Sequence, residues 1–191
     1  MRDERTSWNQ RYREHSHSSL KPDPFLVDSY QEFLHPLFPA GGTALDVAGG
    51  VGRHAIWLAK RNWNVDLVDV SEVGIAEAKK NARRYPAKIQ FLVRDLKKFS
   101  LPRNRYDVVL VFFYLERSIF PDLLRALRPG GLLLYKTYTL EQRKFGGGPT
   151  HPMHVLKPNE LIEAFSELQI LLYRETLRER GIAEMVGRKT G

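Results

Sequence analysis

The sequence predicts an α/β fold, a doubly wound and mostly parallel seven-stranded sheet in a single domain. Short apolar runs alternate with helical patterns from Thr43 onward, and strands that alternate with helices build a parallel sheet. One run, 106–112, is apolar with almost no alternation, which is typical of a central strand covered on both faces. The length of 191 residues fits one domain.

The elements follow in order along the chain. We expect a short helix at 5–14 in a polar N-terminal stretch, and a helix from Pro24 that ends at Pro36 and Pro39. Further helices are expected at 53–61, 71–85, 121–127 and 161–165, with strands at 44–47, 65–68, 89–93, 106–112, 132–138, 169–174 and 182–186. Ser71 is the expected N-cap of its helix, and 128–131 the turn before the fifth strand. Residues 1–40 are expected to form a helical cap on a core at 41–191, the two treated as one domain.

The chain contains no cysteine. This excludes disulfide scaffolds, thiolate zinc sites, iron–sulfur clusters and cysteine nucleophiles. The longest apolar run, 108–115, is too short to cross a bilayer. The N-terminus is charged and lacks an apolar signal core, so the protein is expected to be cytoplasmic, with no membrane partner.

The net charge of +8 raises the question of a nucleic-acid partner. The excess is concentrated in residues 60–105, which hold 12 Lys and Arg against 5 Asp and Glu. Four of these cations share one predicted helix: Lys79, Lys80, Arg83 and Arg84. Because few aromatic side chains are interleaved with them, a solvated helix face is the favoured interpretation, and nucleic acid is not the expected partner.

A glycine-rich turn at 46–52 links the first predicted strand to its helix. Glycines lack a Cβ and tolerate positive φ, so backbone N–H groups there approach a ligand closely. Asp69 ends the second strand, where a carboxylate accepts hydrogen bonds from ribose hydroxyls. Together these features predict a site for an adenosine-containing ligand. The alternatives are a tight turn without a ligand and, for Asp69, a helix N-cap.

Five segments between Thr43 and Tyr138 resemble, in order, the motifs of class I S-adenosylmethionine-dependent methyltransferases. They are 45–55, the strand end at Asp69, 91–96, 106–111 and 127–135. The resemblance implies the Rossmann-like fold of that family, S-adenosylmethionine as cofactor, and in-line transfer of a methyl group. Ala48 stands where the family usually has glycine, and its methyl group is expected to narrow the loop.

The resemblance also implies cofactor-binding residues. Asp69 matches the ribose-binding acid, and Asp95 with the backbone N–H of Leu96 matches the adenine-binding end of the third strand. Asp46 is expected to orient the loop or the amino-acid end of the cofactor. Arg11 lies on a segment resembling a helix that folds over the cofactor, and is expected to pair with its carboxylate; a solvated helix face is the alternative. The full expected set is Arg11, Asp46, Ala48, Gly49, Gly50, Gly52, Asp69, Val70, Asp95, Leu96 and Phe112.

Acceptor-binding residues are expected after the fourth and fifth strands. The loop at 138–158 has the length of a lid, with three glycines as its candidate hinge. Its polar side chains are suited to binding an oxyanion or removing a proton, although core packing for the aromatics and a surface position for the histidines are alternatives. The candidates are Tyr114, Arg117, Tyr138, Arg143, His151 and His154. No metal is expected, because the two histidines lack a third ligand at useful spacing.

The nature of the acceptor is narrowed by what the sequence lacks. Without cysteine, neither cytosine C5 methylation nor radical methyl chemistry is available, and the Pro-Pro motif of exocyclic-amine methyltransferases is absent after the fourth strand. The segments 114–121, 147–152 and 156–161 resemble small bacterial methyltransferases grouped with tellurite-resistance proteins. That resemblance implies a small acceptor such as a thiol or a chalcogen oxyanion.

Two other functions fit parts of the sequence. A nicotinamide-dependent oxidoreductase fits the glycine spacing and Asp69, but the chain has no second domain and no evident hydride-transfer residues. An RNA-binding or RNA-modifying protein would use the basic segment 60–105 as a contact to the nucleic-acid backbone. The oligomeric state is not predicted.

Overall fold

The structure is a computed structural model and describes residues 4–14, 16–83 and 88–191. Contacts between Cα atoms divide the chain into two compact units, Met1–Ser100 and Leu101–Gly191. Each unit alternates strands and helices and has an apolar core of its own. The first contains the glycine-rich turn, and the second contains the loop expected to bind the acceptor.

The first unit begins with three helices, after which three strands alternate with two further helices. Its helices are α1 (Glu4–Arg13), α2 (Pro24–Ser29), α3 (His35–Leu37), α4 (Arg53–Ala59) and α5 (Glu72–Ala82), and its strands are β1 (Thr43–Val47), β2 (Asn64–Asp69) and β3 (Ile89–Val93). The three strands pair in parallel, β1 with β2 and β2 with β3. Among its fully buried side chains are Leu45, Leu58, Trp63 and Leu67.

The second unit has four strands and two helices. The elements are β4 (Tyr106–Phe112), α6 (Phe120–Ala126), β5 (Leu127–Tyr138), α7 (Glu160–Ala164), β6 (Leu168–Thr176) and β7 (Ile182–Lys189). Strand β5 pairs in parallel with β4 and antiparallel with β7, which pairs antiparallel with β6. Tyr135 and Phe165 anchor the core, with ring centroids 5.9 Å apart and no exposed side-chain surface.

The seven strands are ordered β3-β2-β1-β4-β5-β7-β6. The predicted mostly parallel, seven-stranded sheet is therefore confirmed. Helices α6 and α7 match their predicted positions to within a residue, as do β3 and β4. The predicted end of helix α5 at Tyr85 lies outside the described residues.

The helical path from Pro24 continues through Pro36 and ends at Leu37, between the two prolines that were predicted to terminate it. A π-helical segment, Tyr30–Leu34, follows α2, and the His35 N–H donates to the carbonyl of Tyr30. Pro36 then falls in the first turn of α3, where its missing N–H costs no hydrogen bond.

Residues 128–131, predicted as a turn, lie within the bounds of β5 as a bulge. Tyr106 pairs with Leu127 but Val108 pairs with Leu132, so the bulge accommodates the extra residues. Gly130 has a φ of 81°, a conformation that glycine adopts without strain. Within the described part of the chain, no helix is long and apolar enough to cross a membrane.

Candidate active site

The glycine-rich turn between β1 and α4 is built from three residues with positive φ. Ala48, Gly50 and Gly52 have φ values of 53°, 54° and 82°. The Gly52 N–H donates to the carbonyl of Gly49 at 3.0 Å, which closes the turn. Gly52 is also the residue that precedes α4. The glycine pattern in the sequence therefore matches the positive φ angles that this turn needs.

Two buried carboxylates hold this turn in place. Oδ2 of Asp46 accepts a hydrogen bond from the Ala55 N–H at 3.1 Å. Asp69 accepts two, from the Gly50 N–H at 2.9 Å and from the Ser71 N–H at 2.8 Å. Burial raises the pKa of Asp46 to about 7 and that of Asp69 to about 6, although the backbone hydrogen bonds oppose both shifts.

The residues at this edge of the first unit fit an adenosine-containing cofactor. A carboxylate has about four lone-pair sites, and backbone N–H groups of Ser71, Gly50 and Val70 act on Asp69, so acceptor capacity for one ribose hydroxyl remains. After β3, Oδ1 of Asp95 accepts from the Lys97 N–H at 3.0 Å, and Leu96 is buried. Val70 is half-buried beside Asp69.

The structure brings Tyr12, which was not predicted, onto the turn. A Cβ added to Gly50 would overlap the Tyr12 hydroxyl, and one added to Gly74 would lie 2.8 Å from the ring. Burial and the nearby carboxylates of Asp69 and Asp46 raise the pKa of the Tyr12 phenol well above its usual range. The available sequence signal was the Trp8–Tyr12 pair, four residues apart on a predicted helix and stacked with ring centroids 5.7 Å apart.

Asn9 fixes helix α1 against the start of α5 and was also not predicted. Its side-chain oxygen accepts a hydrogen bond from Ser71 Oγ at 2.6 Å, and its amide donates to Glu72 Oε1 at 2.8 Å. Ser71 in turn accepts from the Gly74 N–H, so its predicted N-cap is confirmed. Nothing in the pattern around Asn9 pointed to this anchor.

Arg11 is exposed. Its guanidinium stands over the ring of Trp8, 4.8 Å from the centroid. Tyr12, the next residue, contacts the turn at Gly50. A contact between Arg11 and the cofactor carboxylate stays a prediction.

In the second unit, the loop that follows β5 begins and ends at the carboxyl end of that strand. Thr139 forms a parallel bridge with Leu156. The Leu140 N–H donates to the Leu156 carbonyl, and the Leu156 N–H donates to the Tyr138 carbonyl, both at 2.8 Å. Residues 140–155 therefore form a closed excursion, which we call the acceptor loop. Three predicted candidates lie on it: Arg143, His151 and His154.

Arg117 ties the segment after β4 to the end of the acceptor loop. Its guanidinium makes a two-point ion pair with Glu160, at 2.5 and 2.9 Å. The same group donates to the carbonyls of Val155 at 3.1 Å and Met153 at 3.3 Å. Burial alone would raise the pKa of Glu160, but the hydrogen bonds from Arg117 hold it below its usual range. Direct contact between Arg117 and an acceptor stays a prediction.

A buried glutamine closes the other side of the acceptor loop. Nε2 of Gln142 donates to the Gly147 carbonyl at 2.6 Å, and Oε1 accepts from the Gly181 N–H at 3.2 Å. Arg143 donates from Nε to the Thr150 carbonyl at 2.8 Å. Gln142, flanked by polar residues, carried no sequence signal, and it joins the glycine-rich part of the loop to the turn between β6 and β7.

The predicted aromatic candidates, Tyr138, Phe112 and Tyr114, have different surroundings in the structure. Tyr138 is half-buried and packs against Phe113, with ring centroids 5.1 Å apart. Phe113 has a φ of 57°, a strained conformation for a residue with a side chain. Phe112 is buried in the core, and Tyr114 is half-buried and accepts a hydrogen bond from the Tyr135 hydroxyl through its carbonyl.

No metal was predicted, and a nucleic-acid partner was only the alternative that would use the basic segment 60–105. Among the described residues, no group of three His, Cys, Asp or Glu side chains is placed to hold a metal ion. In the basic segment 60–105, Lys80 pairs with Glu77 at 3.7 Å and Lys97 with Glu4 at 3.3 Å. Arg84 and Tyr85 lie outside the described residues. The described part of the segment is thus interspersed with carboxylates.

Sequence comparison shows that the chain is similar to methyltransferases. A family profile described as "Methyltransferase domain" matches residues 44–131. Phosphoethanolamine N-methyltransferase 3 of Arabidopsis thaliana is 24% identical over 168 residues, covering 84% of this chain and 33% of that protein. A ubiquinone/menaquinone biosynthesis C-methyltransferase of Ectopseudomonas mendocina is 29% identical over 104 residues, covering 49% of this chain and 41% of the relative. This chain spans less than half the length of these relatives.

Solved structures share the fold at low sequence identity. TehB from Haemophilus influenzae superposes with a TM-score of 0.75 at 18% identity, covering 95% of this chain and 67% of that one. A 1,6-didemethyltoxoflavin-N1-methyltransferase of Burkholderia thailandensis, solved with S-adenosylhomocysteine, has a TM-score of 0.72 at 16% identity, covering 98% of this chain and 87% of the other. The methyltransferase-domain match covers residues 44–131, just under half of the chain, and the chain shares its fold with solved structures of S-adenosylmethionine-dependent methyltransferases.

Proposed function

We propose that this protein transfers a methyl group from S-adenosylmethionine to a small-molecule acceptor, with thiols and chalcogen oxyanions as the favoured classes. The observation that carries the proposal is the pairing of two features. The first unit has a glycine-rich turn held by Asp46 and Asp69. The second has a closed acceptor loop at the carboxyl end of β5, the end of a strand where ligands bind in sheets of this kind.

Residues of the first unit would hold the cofactor. The carboxylate of Asp69 is suited to the ribose, the glycine-rich turn to close approach of the amino-acid end, and Asp95 with Leu96 to the adenine. When bound, S-adenosylmethionine supplies an electrophilic methyl group. The buried side chain of Tyr12 packs against the turn at Gly50.

The second unit would hold the acceptor. In-line methyl transfer needs alignment of the acceptor atom more than strong acids or bases, because bringing the reactants together removes much of the barrier. The Tyr138 and Phe113 rings supply an apolar wall, and the acceptor loop supplies polar side chains, Arg143, His151 and His154. A small acceptor is supported by the closed path of the loop and by the fold shared with a methyltransferase solved with 1,6-didemethyltoxoflavin bound.

A screen with labelled S-adenosylmethionine tests this proposal. The acceptors are thiols, selenite and tellurite with a reductant, small amines, and duplex RNA. We expect transfer to a thiol or a chalcogen species and none to RNA. Transfer to RNA alone would overturn the proposed acceptor class and favour the basic segment 60–105 as a substrate contact.

A further inference from the structure

We propose that the two histidines of the acceptor loop have different roles. His151 donates a hydrogen bond to an anionic group of the acceptor, and His154 takes up the proton that the acceptor loses. This inference rests on the proposed function and assigns roles within the same site. It is carried by the geometry of residues 151–154.

The first observation is that the two rings share one face of a short helical turn. The His154 N–H donates to the carbonyl of His151 at 2.9 Å, which closes a 3₁₀ turn. Side chains three residues apart are eclipsed in that conformation. The ring centroids accordingly lie 5.9 Å apart, close enough for both imidazoles to contact one small acceptor.

The second observation fixes the proton on His151. Nδ1 of His151 accepts a hydrogen bond from the Met153 N–H at 3.3 Å. A backbone N–H only donates, so Nδ1 carries no proton and the neutral ring carries its proton on Nε2. His151 therefore presents an N–H donor outward and is unsuited to accept a proton while it caps the turn.

The third observation distinguishes His154. In the part of the chain that the structure describes, its ring nitrogens have no hydrogen-bond partner, and its side chain is exposed. Arg117 binds the carbonyls of Met153 and Val155, on either side of His154. The ring thus stands on a backbone fixed from both sides, with a nitrogen available for a proton. Arg117 acts on this residue as a positioning residue.

The proton balance of the step follows from these roles. The acceptor's X–H proton passes to a ring nitrogen of His154 while X bonds to the methyl carbon, and the carbon–sulfur electron pair leaves with the sulfur. The imidazolium of His154 then releases the proton to water. An acceptor that is already an anion at the reacting atom does not need this transfer.

Three thiol probes separate the two roles. Mercaptoacetate carries an anionic group and a protonated thiol, 2-mercaptoethanol carries only the thiol, and hydrosulfide is already an anion at sulfur. The variants are His154→Ala and His151→Asn, which retains an N-cap side chain. S-adenosylhomocysteine binding is measured calorimetrically for each protein, so that loss of the cofactor site is seen separately.

For His154→Ala we expect kcat to fall about 10²-fold or more with the two protonated thiols, to recover with added imidazole, and to change little with hydrosulfide. For His151→Asn we expect KM to rise about tenfold for mercaptoacetate only. Equal losses on all three probes, or no recovery with imidazole, would overturn the inference while leaving the proposed function intact. A wild-type protein that binds S-adenosylhomocysteine but methylates none of the probes would overturn the thiol assignment and the inference with it. Absence of S-adenosylhomocysteine binding would refute the proposed function itself.

Discussion

The Gly50 N–H and the Asp69 carboxylate are joined by a hydrogen bond of 2.9 Å across the ends of β1 and β2. The other oxygen of Asp69 accepts from the Ser71 N–H. One buried side chain thus fixes the turn after β1 and the turn after β2. The residue expected to bind the ribose is also a structural support for the glycine-rich turn.

Asp69→Ala is therefore expected to affect both binding and folding. The Kd for S-adenosylhomocysteine should rise about tenfold or more, and the free energy of unfolding should fall by about 1–3 kcal/mol because two backbone N–H groups lose their acceptor. Calorimetry and urea unfolding measure the two effects. Asp122→Asn, at an exposed ion pair with Arg125, serves as the control and should change unfolding by less than about 0.5 kcal/mol. Unchanged cofactor affinity would mean that Asp69 does not bind the ribose.

The raised pKa of Asp46 predicts a pH-dependent stability difference. Its pKa is about 7 in the folded protein against 3.8 ordinarily, because it is buried. Between pH 4 and pH 7 the folded state therefore holds a proton that the unfolded chain has lost, and stability falls as pH rises. Asp46→Asn cannot titrate, so its free energy of unfolding relative to wild type should improve by about 2 kcal/mol from pH 5 to pH 8. A difference that is the same at both pH values would contradict the assignment.

Tyr12 and Gly50 should be energetically coupled. Gly50→Ala adds a methyl group that overlaps the Tyr12 hydroxyl at a positive φ, and we expect a loss of about 1–3 kcal/mol in stability. Tyr12→Phe removes the hydroxyl, so the double variant should lose less than the two single losses added together. Urea unfolding of all four proteins measures the coupling. Strict additivity would show that the two residues are not in contact.

The sequence predicted the sheet well because its signals are local. Continuous apolar runs such as 106–112 and helix signals such as Ser71 require only neighbouring residues to be recognised. The helix from Pro24 ends between Pro36 and Pro39 as predicted, but the π-helical segment before α3, which places Pro36 in a first helical turn, left no mark in the sequence. Residues 128–131 were predicted as a turn because their sequence is typical of one. Their place in a bulged strand follows from the register between β4 and β5, which the local sequence does not show.

The candidate site was predicted only where a backbone requirement marks it. Glycines at positive φ and an acid at a strand end leave a trace in the sequence, and Gly50 and Asp69 were found that way. Gln142 acts through contacts with residues distant along the chain, and the identity of one residue does not predict such a contact. Tyr12 also contacts distant residues, and its only sequence signal was its spacing from Trp8. The contacts of Arg117 with the acceptor loop were not predicted for the same reason, and its predicted contact with the acceptor stays a prediction.

Ala48 offers a stabilising change. Its φ of 53° costs any residue with a Cβ roughly 1–2 kcal/mol. Replacement by glycine removes this cost, but the larger chain entropy of glycine in the unfolded state offsets part of the gain. Ala48→Gly should therefore raise the free energy of unfolding by up to about 1 kcal/mol, seen as a higher Tm. A lower Tm would show that the methyl group packs favourably in the turn. The comparison is Ala164→Gly on helix α7, where a glycine should lower the free energy of unfolding. The exposed Ala40 is less suitable because it lies beside Pro39.

Calorimetric titration of the purified protein with S-adenosylhomocysteine and, separately, with NAD tests the central claim most directly. A class I methyltransferase site at the glycine-rich turn predicts one S-adenosylhomocysteine per chain, no heat from NAD, and weaker S-adenosylhomocysteine binding in Asp69→Ala. Binding of NAD with no response to S-adenosylhomocysteine would contradict the account and support the oxidoreductase alternative.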